Sequence, residues 1–349
     1  MGQRTTTRDG EVREEAPGGD PRPADPPADP AAAPADVDYR ATAVGRRRSW
    51  YGAKRHVKRV LGWRLPNLAM RGAVRLAAPR LRDTGRLPVP AAIPEVVGRV
   101  DGAEYTMLRP ARCVVAKELY WGEGRRPQPA DDFAVRLFAR AARQAGMMFD
   151  IGAYTGLFTL VGTAVNPHLR AHAFEIVPEV YHTLFDNCVR NRVLHRCTLH
   201  HVGVGDPETA VRMPARSGDS ALPCFYSSGL TFADGVPIDV VALDEFTGAV
   251  ERGTRVLVKV DVEGTEDAVF AHGQDFLAAH RPDILCEVLP EADGRRLRAL
   301  LEPHGYRFHL VGEHALAPAS DLTPHTRFRD WFLTTRDTGE LERLGIPVA

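Results

Sequence analysis

No run of about eighteen apolar residues occurs in the chain, which leaves it without a transmembrane helix on sequence grounds. Cysteine is scarce and odd in number: Cys113, Cys188, Cys197, Cys224 and Cys286 include no CxxC pair. That argues against a disulfide framework or a zinc knuckle and makes a reducing cytoplasm the expected compartment. The amino-terminal stretch lacks an apolar signal core, so no secretory signal is expected. Net charge is also missing, because Lys plus Arg equal Asp plus Glu at 45 each. The balance conceals a strong asymmetry. Residues 1–40 have a net charge of −4, residues 41–90 of +12 and the remainder of −8.

What is present divides along the chain. Residues 1–40 are rich in Pro, Ala, Asp and Gly and carry too little apolar surface to offset their ordering entropy, so a disordered tail is expected. Residues 41–92 form a basic extension in which Trp50, Val57, Leu61 and Leu68 recur at helical spacing. Such a helix suits packing on the main domain, or peripheral contact with a membrane or acidic partner through 46–68. Residues 93–130 read as a β-rich lead-in, with YTMLRP and RCVVAKELYW as strands. From 131 to 349, apolar strands alternate with amphipathic helices. Strands are expected at 147–151, 172–176, 198–204, 256–262 and 284–289, and helices at 131–145, 156–165, 178–191, 265–279 and 291–302. YRFHLV and DWFLTT add two late strands, and residues 209–245 read as an inserted β-ribbon. This alternation means an α/β fold, with a mostly parallel sheet covered on both faces.

Such sheets bind ligands beyond the carboxyl ends of their strands, beside the point where strand order reverses. The first strand of the unit ends in FDIGAYTG. Gly152 permits a tight turn and close ligand approach, Gly156 close packing of the next helix, and Thr155 an N-cap. A dinucleotide fingerprint needs a further glycine where Tyr154 or Ala153 stands, so a pyrophosphate would meet a side chain. S-adenosylmethionine (SAM) has no pyrophosphate. Asp150 suits its ammonium and the helix terminus its carboxylate. Nineteen residues after Gly156, Glu175 ends the next strand, where an acid can accept both ribose hydroxyl hydrogens, and Ile176 can flank the adenine.

The densest chemistry lies in LVKVDVEGTEDAVFAHG, with Lys259, Asp261, Glu263 and Glu266 within eight residues. A continuing strand would place Lys259, Asp261 and Glu263 on one face, which packing alone does not explain. Strand five adds Glu287 in ILCEVLP.

The ordered motifs FDIGAYTG, AFEIVPEVYHTLFDN, IDVVALDEF, VLVKVDVEGTEDAVFAHG and RPDILCEVLPE resemble those of the FkbM-family methyltransferases over about residues 130–335. The resemblance implies a Rossmann-like class I methyltransferase fold with a seven-stranded sheet. It also implies SAM as cofactor and methyl transfer to a hydroxyl of a sugar, glycoside or secondary metabolite. Tyr154 departs from the Asn that similar sequences often carry there.

An alcohol needs a base or a metal to weaken its O–H bond. Asp261 is the first candidate base and Glu263 the second, ahead of His201 and His304. Asp261, Glu263 or Glu266, and Glu287 are also hard oxygen ligands suited to a shared Mg2+. Competing readings are a dinucleotide-dependent oxidoreductase, opposed by Tyr154, and a nucleic-acid methyltransferase, opposed by the lack of an Asn/Asp-Pro-Pro-aromatic run. A third is a tethering protein acting through 41–90. Residues 209–245 and the lead-in are expected to shape the acceptor pocket.

Overall fold

A computed structural model describes Asn67, Gly72 and residues 84–216, 222–223 and 226–349. The tail expected over 1–40, the apolar stripe Trp50, Val57, Leu61 and Leu68, and membrane contact through 46–68 lie outside the described residues. Among those described, no helix is long and apolar enough to cross a membrane.

The lead-in begins as a hairpin. Strands β1 (Glu95–Val100) and β2 (Ala103–Leu108) pair antiparallel, and their turn places Asp101 and Gly102 at φ 44° and 84°. RCVVAKELYW, read as a strand for its β-branched and aromatic residues, instead forms helix α1 (Val114–Trp121). The Cys113 side chain caps it by accepting from the Ala116 N–H, and Leu119, Tyr120 and Trp121 are buried. Packing here overrides β-propensity.

Helix α2 (Pro129–Ala142) has proline in its first turn, with Asp131 and Asp132 complementing the helix dipole. There follow β3 (Met147–Ile151), α3 (Leu157–Val165), β4 (Arg170–Phe174), α4 (Pro178–Arg190) and β5 (Cys197–His200). Next, β6 (Gly203–Val204) pairs with β9 (Val240–Val241), and the expected ribbon is β7 (Val211–Met213) against β8 (Val236–Ile238). The alternation resumes with β10 (Val256–Val260), α5 (Glu266–Ala271), α6 (Gln274–His280), β11 (Asp283–Glu287) and α7 (Gly294–Leu301). It ends with β12 (Arg307–Val311), β13 (Leu316–Ala319), β14 (Asp330–Thr334) and α8 (Thr338–Arg343). The single helix expected over 265–279 is two, broken at Gly273, where a Cβ would lie 2.9 Å from the Val269 carbonyl oxygen.

The main sheet has the order β13-β12-β14-β11-β10-β3-β4-β5. The five strands from β11 to β5 run parallel, and β14, β12 and β13 add antiparallel pairs. The sheet thus has eight strands rather than seven. The extra one, β13, is a short edge strand containing Pro318, a residue that weakens a strand signal and is tolerated at an edge. Alternate residues of the central strands enter two cores: Met148, Leu257 and Leu285 face one side, Phe149, Val258 and Ile284 the other. Each fully buried side chain of this size contributes about 1.5–3 kcal/mol. From β3 the chain moves outward through β4 and β5, then returns to the far side of β3 as β10. The carboxyl ends of β3 and β10 therefore flank the switch point.

The hairpin is joined to this body by Asn187 of α4 and by Asn191, the C-cap of that helix. Asn187 accepts from the Leu108 N–H and donates to the Thr155 carbonyl, both at 2.8 Å. Asn191 accepts from the Thr106 N–H and donates to the Thr106 carbonyl, at 2.8 and 2.7 Å.

Candidate functional site

A cleft of about 1100 Å³, counted to its open mouth, lies at this switch point. Its floor is Ile151–Tyr154 and its far wall Phe174–Val177 with Val202–Val204; Asp261–Glu263 form the near wall. Val114, Val115, Glu118 and Arg126 of the lead-in and Pro223, Tyr226, Ser227 and Ser228 of the ribbon segment close it over.

The glycines serve the turn in ways the sequence does not show. Gly152 has φ 78°, and a Cβ on it would fall 1.8 Å from the Asp261 carbonyl oxygen. The missing side chain therefore makes room for the β10 loop, not directly for a ligand. The Ile151 carbonyl accepts the Asp261 N–H at 2.9 Å and closes the same contact. Gly156 (φ 91°) would meet Leu184 of α4 at 2.6 Å, so it admits a helix rather than a strand. Gly156, not Thr155, is the N-cap of α3. Thr155 is fully buried, 3.1 Å from the Cys113 sulfur, and neither Thr155 nor Gly156 lines the cleft.

Asp150 is likewise turned away from the cleft. Its Oδ2 accepts from the Thr159 N–H and hydroxyl at 2.8 and 2.6 Å, capping α3 from within. Burial pushes this carboxyl up to about 6 despite those bonds and the Lys259 charge. Asp150, expected to meet an ammonium, does not line the cleft, and its Oδ2 is committed to the helix. Tyr154 does line the cleft. It holds φ 50°, a left-handed backbone that costs a bulky residue of order 1–3 kcal/mol, and its hydroxyl donates to the Leu222 carbonyl at 3.4 Å.

Glu175 directly follows β4 in the cleft wall, only 7% exposed, and Ile176 adjoins it. Its Oε1 accepts the Val177 N–H at 2.8 Å. Burial pushes the carboxyl up to about 8.

Strand β10 stops at Val260, so Asp261 and Glu263 lie in a loop, not on a continued strand face. Glu263 takes φ 55° and Gly264 φ 101°, which throws the Glu263 side chain back over the cleft. The buried Lys259 ammonium sits 3.4 Å from Asp261 Oδ2 and 3.6 Å from Asp330 Oδ1, and 5.4 Å from the centre of the Phe158 ring. Burial works against its charge, but Asp261, Asp330 and Glu287 outweigh that and raise its pKa. Burial would also raise Asp261; Lys259 and a hydrogen bond shared with Glu287 hold it below the ordinary carboxylate range instead. The Asp261 charge and burial push Glu287 the other way, well above the ordinary carboxylate range, which favours the protonated form there. Glu263 is pushed up to about 7 by burial and by the charges of Asp261 and Glu266.

Asp261, Glu263 and Glu287 bring one carboxyl oxygen each within 4.8 Å of the others. Glu266, the alternative to Glu263 in the expected set, is buried and accepts the Gly264 N–H at 3.0 Å, so it braces the turn and stands outside the group. Hard oxygens at this spacing fit Mg2+. The Lys259 ammonium and the Glu287 proton already neutralise part of that charge. His201 stacks on Tyr181 at 4.9 Å and His304 pairs with Gln274 at 3.0 Å; neither lines the cleft.

Sequence reasoning misses Glu118 and Arg126. Arg126 lies 2.7 Å from Glu118 and 2.9 Å from Asp131, and it is the one basic side chain among the described residues lining the cleft. Eight residues apart across a turn, the two show no motif.

SAM fits these walls. The slot between Ile176–Val177 and Val202–Val204 is apolar, Glu175 offers a buried carboxyl for a diol, and the near wall carries carboxylates suited to a net positive ligand.

The sequence profile of the methyltransferase FkbM domain matches residues 150–308. The 31-O-demethyl-FK506 methyltransferase FkbM of Streptomyces tacrolimicus is 27% identical over 196 residues, 47% of this chain and 74% of that protein. Among solved structures, methyltransferase FkbM from Methylobacillus flagellatus KT is 18% identical with a TM-score of 0.37, over 55% of this chain and 44% of its own. This chain thus spans less than half of that protein. The O-methyltransferase TomG from Streptomyces achromogenes, solved with SAM, is 13% identical with a TM-score of 0.33, over 57% of this chain and 77% of its own.

Proposed function

We propose that this chain, whose residues 150–308 match the methyltransferase FkbM domain, uses SAM to methylate a hydroxyl of an uncharged sugar, glycoside or other secondary metabolite. The observation that carries this reading is the near wall, where Asp261 and Glu263 line the cleft with carboxyl oxygens within 4.8 Å of each other and the buried Lys259 ammonium lies 3.4 Å from Asp261. When bound, SAM supplies an electrophilic methyl group, whose C–S electron pair returns to sulfur as the C–O bond forms.

The chain's residues do the rest. Glu263 has the basicity suited to taking the alcohol proton at neutral pH. Asp261 is the weaker base and holds the hydroxyl by hydrogen bonding; Lys259 behind it keeps it ionised. Methyl transfer needs oxygen and methyl at a near-attack separation of roughly 3–3.5 Å, a positioning that the cleft walls would supply. Glu175 and Ile176 take the nucleoside, and Tyr154 seals the floor against the ribbon segment.

Charge supports an uncharged acceptor. The only guanidinium lining the cleft, among described residues, is already engaged by Glu118 and Asp131. An anionic acceptor would face Glu118, Asp261 and Glu263 without a spare cation. A tritium-transfer screen from labelled SAM, pairing neutral glycosides with the matching uronates, tests the reading. Label on the neutral hydroxyl supports it; label on nitrogen, or on uronates alone, overturns it.

The grouping of Asp261, Glu263 and Glu287 favours one second reading, in which these oxygens hold Mg2+ against the acceptor hydroxyl. Chelation separates the two.

A further inference from the structure

Glu175 occupies an unusual place for a carboxyl. Phe174, Ile176 and Val177 surround it in the cleft wall, and one oxygen is committed to the Val177 N–H at 2.8 Å. Few charges face it. From β3 there is Asp150, itself held by Thr159. From the segment after β5 there is His201, whose ring bonds the backbone at Ile176. The neighbouring face of α3 presents Leu157 and Phe158, which are apolar, and the ribbon segment presents Tyr226. Asp261 and Glu263 belong to the opposite wall. Among the described residues around it, no Lys or Arg holds an ionised Glu175. Burial accordingly raises its pKa to about 8, and the N–H groups of Val177, Tyr154 and Ile176 offset only part of the effect.

A ribose diol changes the balance. Its two hydroxyls are donors, and an ionised carboxylate is purely an acceptor, whereas a protonated one presents a hydrogen of its own. Seating the diol on Glu175 therefore selects the ionised form. We propose that nucleoside binding at Glu175 expels the proton this carboxyl holds in the free protein, so that SAM binding and loss of one proton are a single linked event. The inference rests on the SAM reading above. The balance is simple: the carboxyl O–H bond breaks, its proton passes to buffer, and two O–H···O⁻ hydrogen bonds form. A proton lost on binding means that affinity rises with pH through the free-protein pKa and levels above it.

Calorimetry of the full chain at pH 7 in phosphate and in Tris, two buffers of different ionisation enthalpy, counts that proton directly. Release of about 0.9 proton per SAM is expected one unit below a pKa near 8, with affinity falling about tenfold per unit between pH 7 and 6. Adenosine, which carries the diol but no ammonium, should release the same proton. Glu175→Gln, its fold checked by circular dichroism, should bind more weakly, with buffer-independent heat and a flat pH profile; Glu175→Asp should restore the release. SAM binding with buffer-independent heat in the unmodified chain overturns the proposal, as does undiminished release from Glu175→Gln. Release with SAM but not with adenosine assigns the proton to the ligand and overturns it too. Absence of SAM binding at every pH removes the cofactor reading itself, a result distinct from binding without proton release.

Discussion

A Cβ placed on Gly152 would fall 1.8 Å from the Asp261 carbonyl oxygen, so the turn after β3 and the loop after β10 close on each other only because position 152 is bare. The floor and the near wall of the cleft are thereby set by one contact. Gly152→Ala should both strain φ 78° and push the β10 loop outward. The backbone conformation alone costs of order 1–3 kcal/mol. A lowered melting temperature together with a loss of SAM affinity of tenfold or more is expected; unchanged calorimetry with SAM would show the contact to be dispensable.

Glu263 should set the acid limb of the reaction. Its carboxyl is pushed up to about 7, and a base must be ionised to accept a proton, so kcat/KM should rise with pH through about 7 and then level. Glu263→Gln should remove that limb and lower kcat by roughly 10²–10⁴. A pH–rate profile of the variant that keeps the limb would move the base elsewhere.

On the proposed reading, Asp261→Asn should lower kcat strongly and leave SAM affinity within a few-fold, because Asp261 belongs to the near wall and not to the wall of Glu175 and Ile176. Lys259→Met should act through stability as well. It leaves Asp261 and Asp330 without the buried ammonium between them, and breaking such a pair costs about 3–5 kcal/mol. Denaturant melts alongside turnover separate the two effects; equal stability in Lys259→Met would show the network to be solvent-screened.

Dialysis against EDTA should leave turnover within about twofold, since Lys259 and the Glu287 proton already supply positive charge to the acidic group. A loss restored by Mg2+ would select the metal reading instead.

Much of the frame is legible in the residues. Strand β3 is read without error, and β10 and β11 within two residues at each end, because strands buried on both faces appear as unbroken apolar runs. The place of Glu175 in the cleft wall is legible because it directly follows an apolar strand, and its bond to the Val177 N–H at the start of α4 is not. Residues 114–121 mislead because Val114 and Val115 favour strands locally, while burial of Leu119 and Trp121 decides for helix. The turning of Asp150 into α3, and the pairing of Glu118 with Arg126, depend on contacts made across distant stretches. Local spacing carries no trace of either.

Helix α1 ends at Trp121, well before the segment that carries the domain match begins at residue 150, yet Val114, Val115 and Glu118 stand in the cleft. The cleft is thus walled by two separate stretches of one chain, and only the later one carries the domain match. On the proposed reading, grafting the stretch upstream of β3 between relatives should change which acceptor is methylated while SAM affinity stays within a few-fold.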